Sequence, residues 1–315
     1  MSASEASNIE GAVFRTLAWF SLFDQPLTVF DIWKWLMKPG KYISFGEVDQ
    51  ALEGPWLLEK VDRQDGRIFL KDGATSPFVR LKEDQARLSD AARKWKTLRR
   101  AARWFGLFPW VRGVAACNSL AWYRTGPQSD IDLFILVKPG TVWISRICTV
   151  LPFFLARRRP GTRKGHDPFC FSFFRSTKGL SLEELQWKKG EDPYLAFWIR
   201  SLVPVFDRGN IFSAFQQANT WVSFWLPHAD GRVAHSNEEI VRVFSLPFPP
   251  VPAFLERLAK GLQWRCFPRR VREMANQDTC VVITDDTLKF HVEDDREALY
   301  RRWKEILYAH GVSEQ

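Results

Sequence analysis

The chain has 315 residues, enough for two or three domains with a sizeable core, and its 46% hydrophobic and 26% charged residues exclude a disordered or fibrous protein. A net charge of +9 permits a polyanionic partner without requiring one. Five scattered cysteines (Cys117, Cys148, Cys170, Cys266, Cys280) form no Cys-x-x-Cys pair; with no signal-like start, they set a reducing cytoplasm as the expected location.

The first seventy-five residues read as one unit. Val13, Leu17 and Phe20 recur at helical spacing. Thr28 with Asp31 three residues on forms a capping pattern, and Ser44 with Glu47 repeats it before Val48 and Leu52. Gln64-Asp65-Gly66 between LLEKVD and RIFLKD predicts a hairpin. Three helices and a hairpin resemble a winged helix-turn-helix. The third helix is the DNA reader of that fold, yet here it carries Glu47, Asp49 and Glu53 and no Lys or Arg. Acidic groups repel phosphates, so a docking or protein-contact role is expected.

A long helix is predicted over 79–105. Ala91, Trp95, Leu98, Ala102 and Phe105 form its apolar stripe, and Arg93, Lys96, Arg100 and Arg103 a basic one. The basic stripe is either a solvated face or a ridge that meets phosphates. With the basic loop 157–164 it is the candidate surface for RNA or another polyanion. A strand over 109–117, a helix starting near Ser119 and a turn over 125–128 follow. Residues 141–156 are apolar, but the stretch is shorter than a membrane span and is interrupted by Arg146 and Pro152, so a buried amphipathic helix and no membrane span are expected. Residues 168–174 predict a strand. Beyond Ser181 the chain reads as helical: a cap at Ser181 and Glu184, a helix from Asp192-Pro193 to near Pro204, and helices over 211–226, 253–275 and 295–310. TCVVIT at 279–284 is the one short strand expected there.

Between these elements lies S-D-I-D-L-F-I-L-V, residues 129–137. Asp130 and Asp132 are two apart, so their side chains leave one face of a strand. Two carboxylates converging in an apolar strand repel and pay desolvation, and a divalent cation removes both penalties. Mg2+ favours one or two carboxylates completed by substrate phosphates. His166 and His291 have no convincing zinc spacing.

Strand, serine-bearing turn, helix, then Asp-x-Asp in a strand resembles the nucleotidyltransferase superfamily of DNA polymerase beta. The resemblance covers residues 90–175, with Ser119 eleven positions before Asp130. It implies an α+β fold with a polymerase-beta-like nucleotidyltransferase domain at 76–178, the winged-helix-like module at 1–75 and a mostly helical region at 179–315. It implies that Asp130 and Asp132 hold Mg2+ or Mn2+. Asn118, Ser119 and Ser129 are the implied contacts to a nucleoside triphosphate, with ATP the expected one. The implied reaction moves a nucleoside monophosphate to an acceptor hydroxyl on RNA, protein or a small molecule.

Two positions depart from the pattern. Asn118 replaces the family's glycine, and asparagine tolerates the left-handed backbone that glycine supplies. The next strand has Ser172 where a third carboxylate is expected, which leaves Asp167 as the nearest substitute and third catalytic candidate. The alternative is a catalytically degenerate nucleotidyltransferase fold acting as a nucleic-acid or protein binding module.

Overall fold

In the computed structural model, residues 8–71, 77–158, 167–230, 241 and 244–314 are described, 77–81 for backbone alone. His166 and the basic loop from 159 onward lie outside them.

The N-terminal part begins with α1 (Asn8–Ser21), α2 (Val29–Lys34), α3 (Phe45–Leu52) and the short α4 (Pro55–Leu58), followed by β1 (Val61–Gln64) and β2 (Arg67–Leu70). Both expected capping boxes form, Thr28 with Asp31 and Ser44 with Glu47. The hairpin turns on Asp65 and Gly66, at φ of 50° and 71°. Positive φ at both positions matches the twist of the two strands. Leu27 bridges Ile68, adding a third extended stretch beside the hairpin.

This part is packed into the rest of the chain. Arg15 is 2% exposed, and its guanidinium donates to the carbonyls of Lys38 (2.8 Å) and Ser313 (3.1 Å). Trp303 Nε1 donates to the Arg15 carbonyl at 3.0 Å, and Trp19 stacks on Phe197 with ring centroids 5.4 Å apart. A buried cation satisfied by fixed carbonyls resists removal, because the carbonyls are left unpaired without it.

The remaining elements are α5 (Pro77–Gly106), β3 (Val111–Ala116), α6 (Asn118–Ala121), β4 (Ile131–Val137), α7 (Val142–Leu155), β5 (Phe169–Ser176), α8 (Pro193–Ser201), β6 (Val203–Asp207), α9 (Ile211–Ala218), α10 (Ala253–Cys266), α11 (Arg269–Met274), β7 (Val281–Ile283), β8 (Thr287–Phe290) and α12 (Arg296–Ala309). Six strands form one mixed sheet in the order β6-β3-β4-β5-β8-β7; β4 and β5 run parallel and the other neighbours antiparallel.

Strand alternation divides the core into two layers. Ile131, Leu133, Ile135 and Val137 pack against α5 and α7, where the expected stripe Ala91, Trp95, Leu98, Ala102 and Phe105 is buried. Phe134 and Leu136 face the other way, into a layer built from α1, α8, α9 and α12. Asp132 shares the parity of Phe134 and Leu136, so it points into this second layer.

The C-terminal region is mostly helical but also lends β6, β7 and β8 to the sheet. The helix expected from Asp192 to near Pro204 ends at Ser201, and Val203–Asp207 is a strand. Proline is tolerated there because β6 is an edge, where a missing N–H breaks no ladder on the open side. Ser181 and Glu184 open no α-helix; Glu183–Leu185 is a single 3-10 turn. The helix expected over 211–226 stops at Ala218, and a 3-10 turn covers Thr220–Phe224. Between them Asn219 is fully buried and donates to the carbonyls of Leu180 (2.9 Å) and Phe215 (2.8 Å). A side chain committed to such bonds interrupts a helix. Among the described residues, no helix is long and apolar enough to cross a membrane.

Candidate active site

The turn before the aspartates is fastened to α5 through Arg124, Thr125 and Lys94. Arg124 pairs with the buried Asp84, and Thr125 Oγ1 donates to Asp90 at 2.7 Å. Lys94 has no exposed surface, and its ammonium donates to the carbonyls of Gly126 (2.6 Å) and Ser129 (2.8 Å) and to Asp90 (2.8 Å). Burial alone would raise the Asp90 carboxyl; hydrogen bonds from Lys94, Arg93 and Thr125 outweigh it and hold Asp90 at about 2. Sequence reading passed over Lys94, because a lysine in a charged helix gives no sign of being turned inward.

Asp130 directly precedes β4 and Asp132 is its second residue; both are half-buried. Burial pushes the Asp130 carboxyl up, the Asp132 charge adds to this, and Lys94 opposes it. Burial likewise raises Asp132, against hydrogen bonds from the Asn118 side chain and the Cys170 thiol. Asp130 thus feels the charge of Asp132 in a partly desolvated site.

Asn118 stands at the β3-to-α6 junction with φ of 54°, the left-handed conformation expected there. Cys117 occupies the N-cap position of α6 without a side-chain cap bond, and Ser119 follows as the second helical residue. The Ser129 hydroxyl accepts from the Gly126 N–H at 2.9 Å and closes the turn. Asp167 is drawn into an ion pair with Arg93, which also holds Asp90 at 2.6 Å. Lys96, Arg100 and Arg103 are solvent-exposed.

The position beside Asp132 on the next strand belongs to Cys170. The parallel register pairs these two residues, and a register shift then separates Asp132 from Phe134. Burial and the Asp132 charge push the Cys170 thiol up to about 12, while Ser172 hydrogen-bonds it. Among the described residues, no group of three His, Cys, Asp or Glu side chains is placed to hold a metal ion.

Two clefts meet at Asn118. The first, about 280 Å³, lies between α1, α6 and α8; Trp19, Phe20, Trp122 and Phe197 wall it, and Ser119, Arg87 and Arg124 supply its polar edge. The second, about 330 Å³, runs from Asn118 past Phe173 to Lys289, His291 and Arg296. Tyr194 and Trp198 line both.

Fold and site together define a mixed α/β protein with a six-stranded sheet and a pair of half-buried aspartates at the start of β4. Comparison with known proteins returns no matching family model, no matching curated protein and no matching solved structure.

Proposed function

We propose that the protein is a metal-dependent nucleotidyltransferase that moves a nucleoside monophosphate from a nucleoside triphosphate, ATP in the first instance, to an acceptor hydroxyl. The observation that carries this reading is the Asp130–Asp132 pair, half-buried at the start of β4; neither carboxylate lines either cleft, but Asp132 is hydrogen-bonded to Asn118, the residue at which both clefts meet. Two carboxylates that burial makes costly to ionise gain from a divalent cation, and a triphosphate completes the coordination that Mg2+ or Mn2+ prefers. Bound there, the ion supplies charge neutralisation at the phosphates during in-line displacement.

The chain's own residues have distinct tasks in this reading. Asp130 and Asp132 hold the cation. Ser119 and the start of α6 contact the phosphates, with Arg87 and Arg124 at the same cleft edge. Asn118 keeps the Asp132 carboxylate oriented through its side-chain hydrogen bond. Asp167, the weaker candidate for a third carboxylate, is occupied by Arg93. Acceptors on RNA, protein or a small molecule are all compatible with this chemistry.

A second reading, a binding module on a degenerate nucleotidyltransferase fold, is favoured by β5, which offers Cys170 and Ser172 but no carboxylate beside the aspartates. One assay separates the two. Wild type and Asp130→Asn/Asp132→Asn are incubated with each α-labelled triphosphate, Mg2+ or Mn2+, and cell extract. Label transfer by the wild type alone supports the enzyme. Absence of both transfer and Mg2+-dependent nucleotide binding overturns it.

A further inference from the structure

The second cleft is on the aspartates' side of the sheet. The β5–β8 register pairs Phe173 with Lys289, and Phe173 packs on Phe134 at 4.9 Å in the layer into which Asp132 points. His291, two residues beyond Lys289, lines the same cleft. The two clefts meet at Asn118, whose side chain hydrogen-bonds Asp132: the first holds Ser119, and the second extends along Phe173 of β5 and Lys289 of β8. If the triphosphate enters past Ser119, the attacking hydroxyl comes from the second cleft.

The lining decides what kind of acceptor fits. Its two cations are already occupied. Arg296 donates to Asp192 (2.7 Å), to the Leu185 carbonyl (2.9 Å) and to Asp294 (2.8 Å); Lys289 donates to the Thr279 carbonyl (2.6 Å) with Asp294 at 3.7 Å. The exposed residues at the mouth are Glu293 and Asp295. An acidic mouth over compensated cations repels a phosphate backbone. Tyr194, Trp198 and Phe173 line it, with Trp198 and Phe173 nearly buried and stacked on each other at 5.4 Å, while Asn118 and His291, whose buried Nδ1 has no partner among the described residues, offer hydrogen bonds. Aromatic walls with a few polar groups hold a compact ligand ring.

We propose that this second cleft is the acceptor site and that it takes a small polyhydroxyl compound, not a nucleic-acid strand. The inference rests on the nucleotidyltransferase reading. One acceptor oxygen forms a bond to the α-phosphorus, the bond from that phosphorus to the bridging oxygen breaks, and pyrophosphate leaves with the electron pair. The hydroxyl proton passes to water in the open cleft.

The test gives wild type, Leu299→Trp, Glu293→Trp and Lys96→Glu/Arg100→Glu/Arg103→Glu the α-labelled triphosphates, Mn2+, and separately the small-molecule ultrafiltrate, the RNA and the protein of a cell extract. Label is expected in the ultrafiltrate. Either tryptophan narrows the cleft from its rim and is expected to lower transfer about tenfold, with the affinity for a fluorescent ATP analogue held within about twofold. The triple α5 variant is expected to match wild type. Label on RNA or protein, or full transfer by both folded tryptophan variants, overturns the acceptor assignment and leaves the nucleotidyltransferase intact. No transfer by wild type to any fraction overturns both.

Discussion

Cys170 is the in-register neighbour of Asp132 across the parallel β4–β5 pair, and its thiol hydrogen-bonds the Asp132 carboxylate. The side chain in register with Asp132 on the next strand is thus a neutral donor. Cys170→Asp is expected to lower the melting temperature of the metal-free protein, because a third like charge joins two whose ionisation is already penalised. Millimolar Mn2+ is expected to reverse the loss and raise label transfer about tenfold above wild type. Thermal unfolding with and without EDTA checks the first effect and the transfer assay the second. A variant that Mn2+ does not rescue would show that this position does not face the metal.

The aspartate pair makes its own prediction. Asp130→Asn/Asp132→Asn removes two carboxylates that burial disfavours, so the metal-free variant is expected to melt at or above the wild-type temperature at pH 7. Adding Mg2+ with ATP is expected to stabilise only the wild type, by about 2.7 kcal/mol at a hundredfold excess over the dissociation constant. Equal stabilisation of both proteins would place the binding elsewhere.

His291 supplies a pH prediction. Burial, reinforced by Lys289, pushes its imidazole down from 6.5 to about 3. Between these values the unfolded chain binds a proton that the folded chain refuses. Stability therefore falls as pH drops through that window and is fully present above 6.5. His291→Leu is expected to show a shallower fall than wild type between pH 6.5 and 4.5 in urea unfolding. Parallel curves would mean that the imidazole is charged in the folded protein.

Local signals were legible in the sequence and long-range ones were not. The capping boxes at Thr28 and Ser44, the Asp65-Gly66 turn and the left-handed Asn118 each depend on a few adjacent residues. The stripe on α5 needed only the helical period. By contrast, β6 and β8 exist because the sheet offers them partners, and neither Pro204 nor the lysine in Thr-Leu-Lys-Phe advertises that. The resemblance implied a third carboxylate on the following strand. Ser172 was the residue singled out, but the register gives the place beside Asp132 to Cys170, and the shift past Asp132 is invisible in the sequence of one strand. Asp167 lies near enough in sequence, but its carboxylate is taken by an arginine seventy-four residues away.

Lys94 ties α5 to the turn that leads into Asp130. Its ammonium bonds the Gly126 and Ser129 carbonyls and the Asp90 carboxylate, and it has no exposed surface. Lys94→Met keeps the length of the side chain but leaves two carbonyls without their donor and removes one of the three donors to Asp90, which keeps Arg93 and Thr125. Breaking a buried pair by removing one partner costs about 3–5 kcal/mol, and a loss of that order is expected in urea unfolding. The turn at 126–129 leads directly into Asp130, so transfer is expected to fall further than the lost stability explains at a temperature where the variant stays folded. Asp90→Asn in the Lys94→Met background is expected to recover part of the stability, because the partly buried carboxylate that has lost its buried cation no longer carries a charge, although its pair with Arg93 is given up. Recovered stability with transfer still low would show that the ammonium acts on the turn; transfer recovering in step with stability would assign Lys94 a purely structural role.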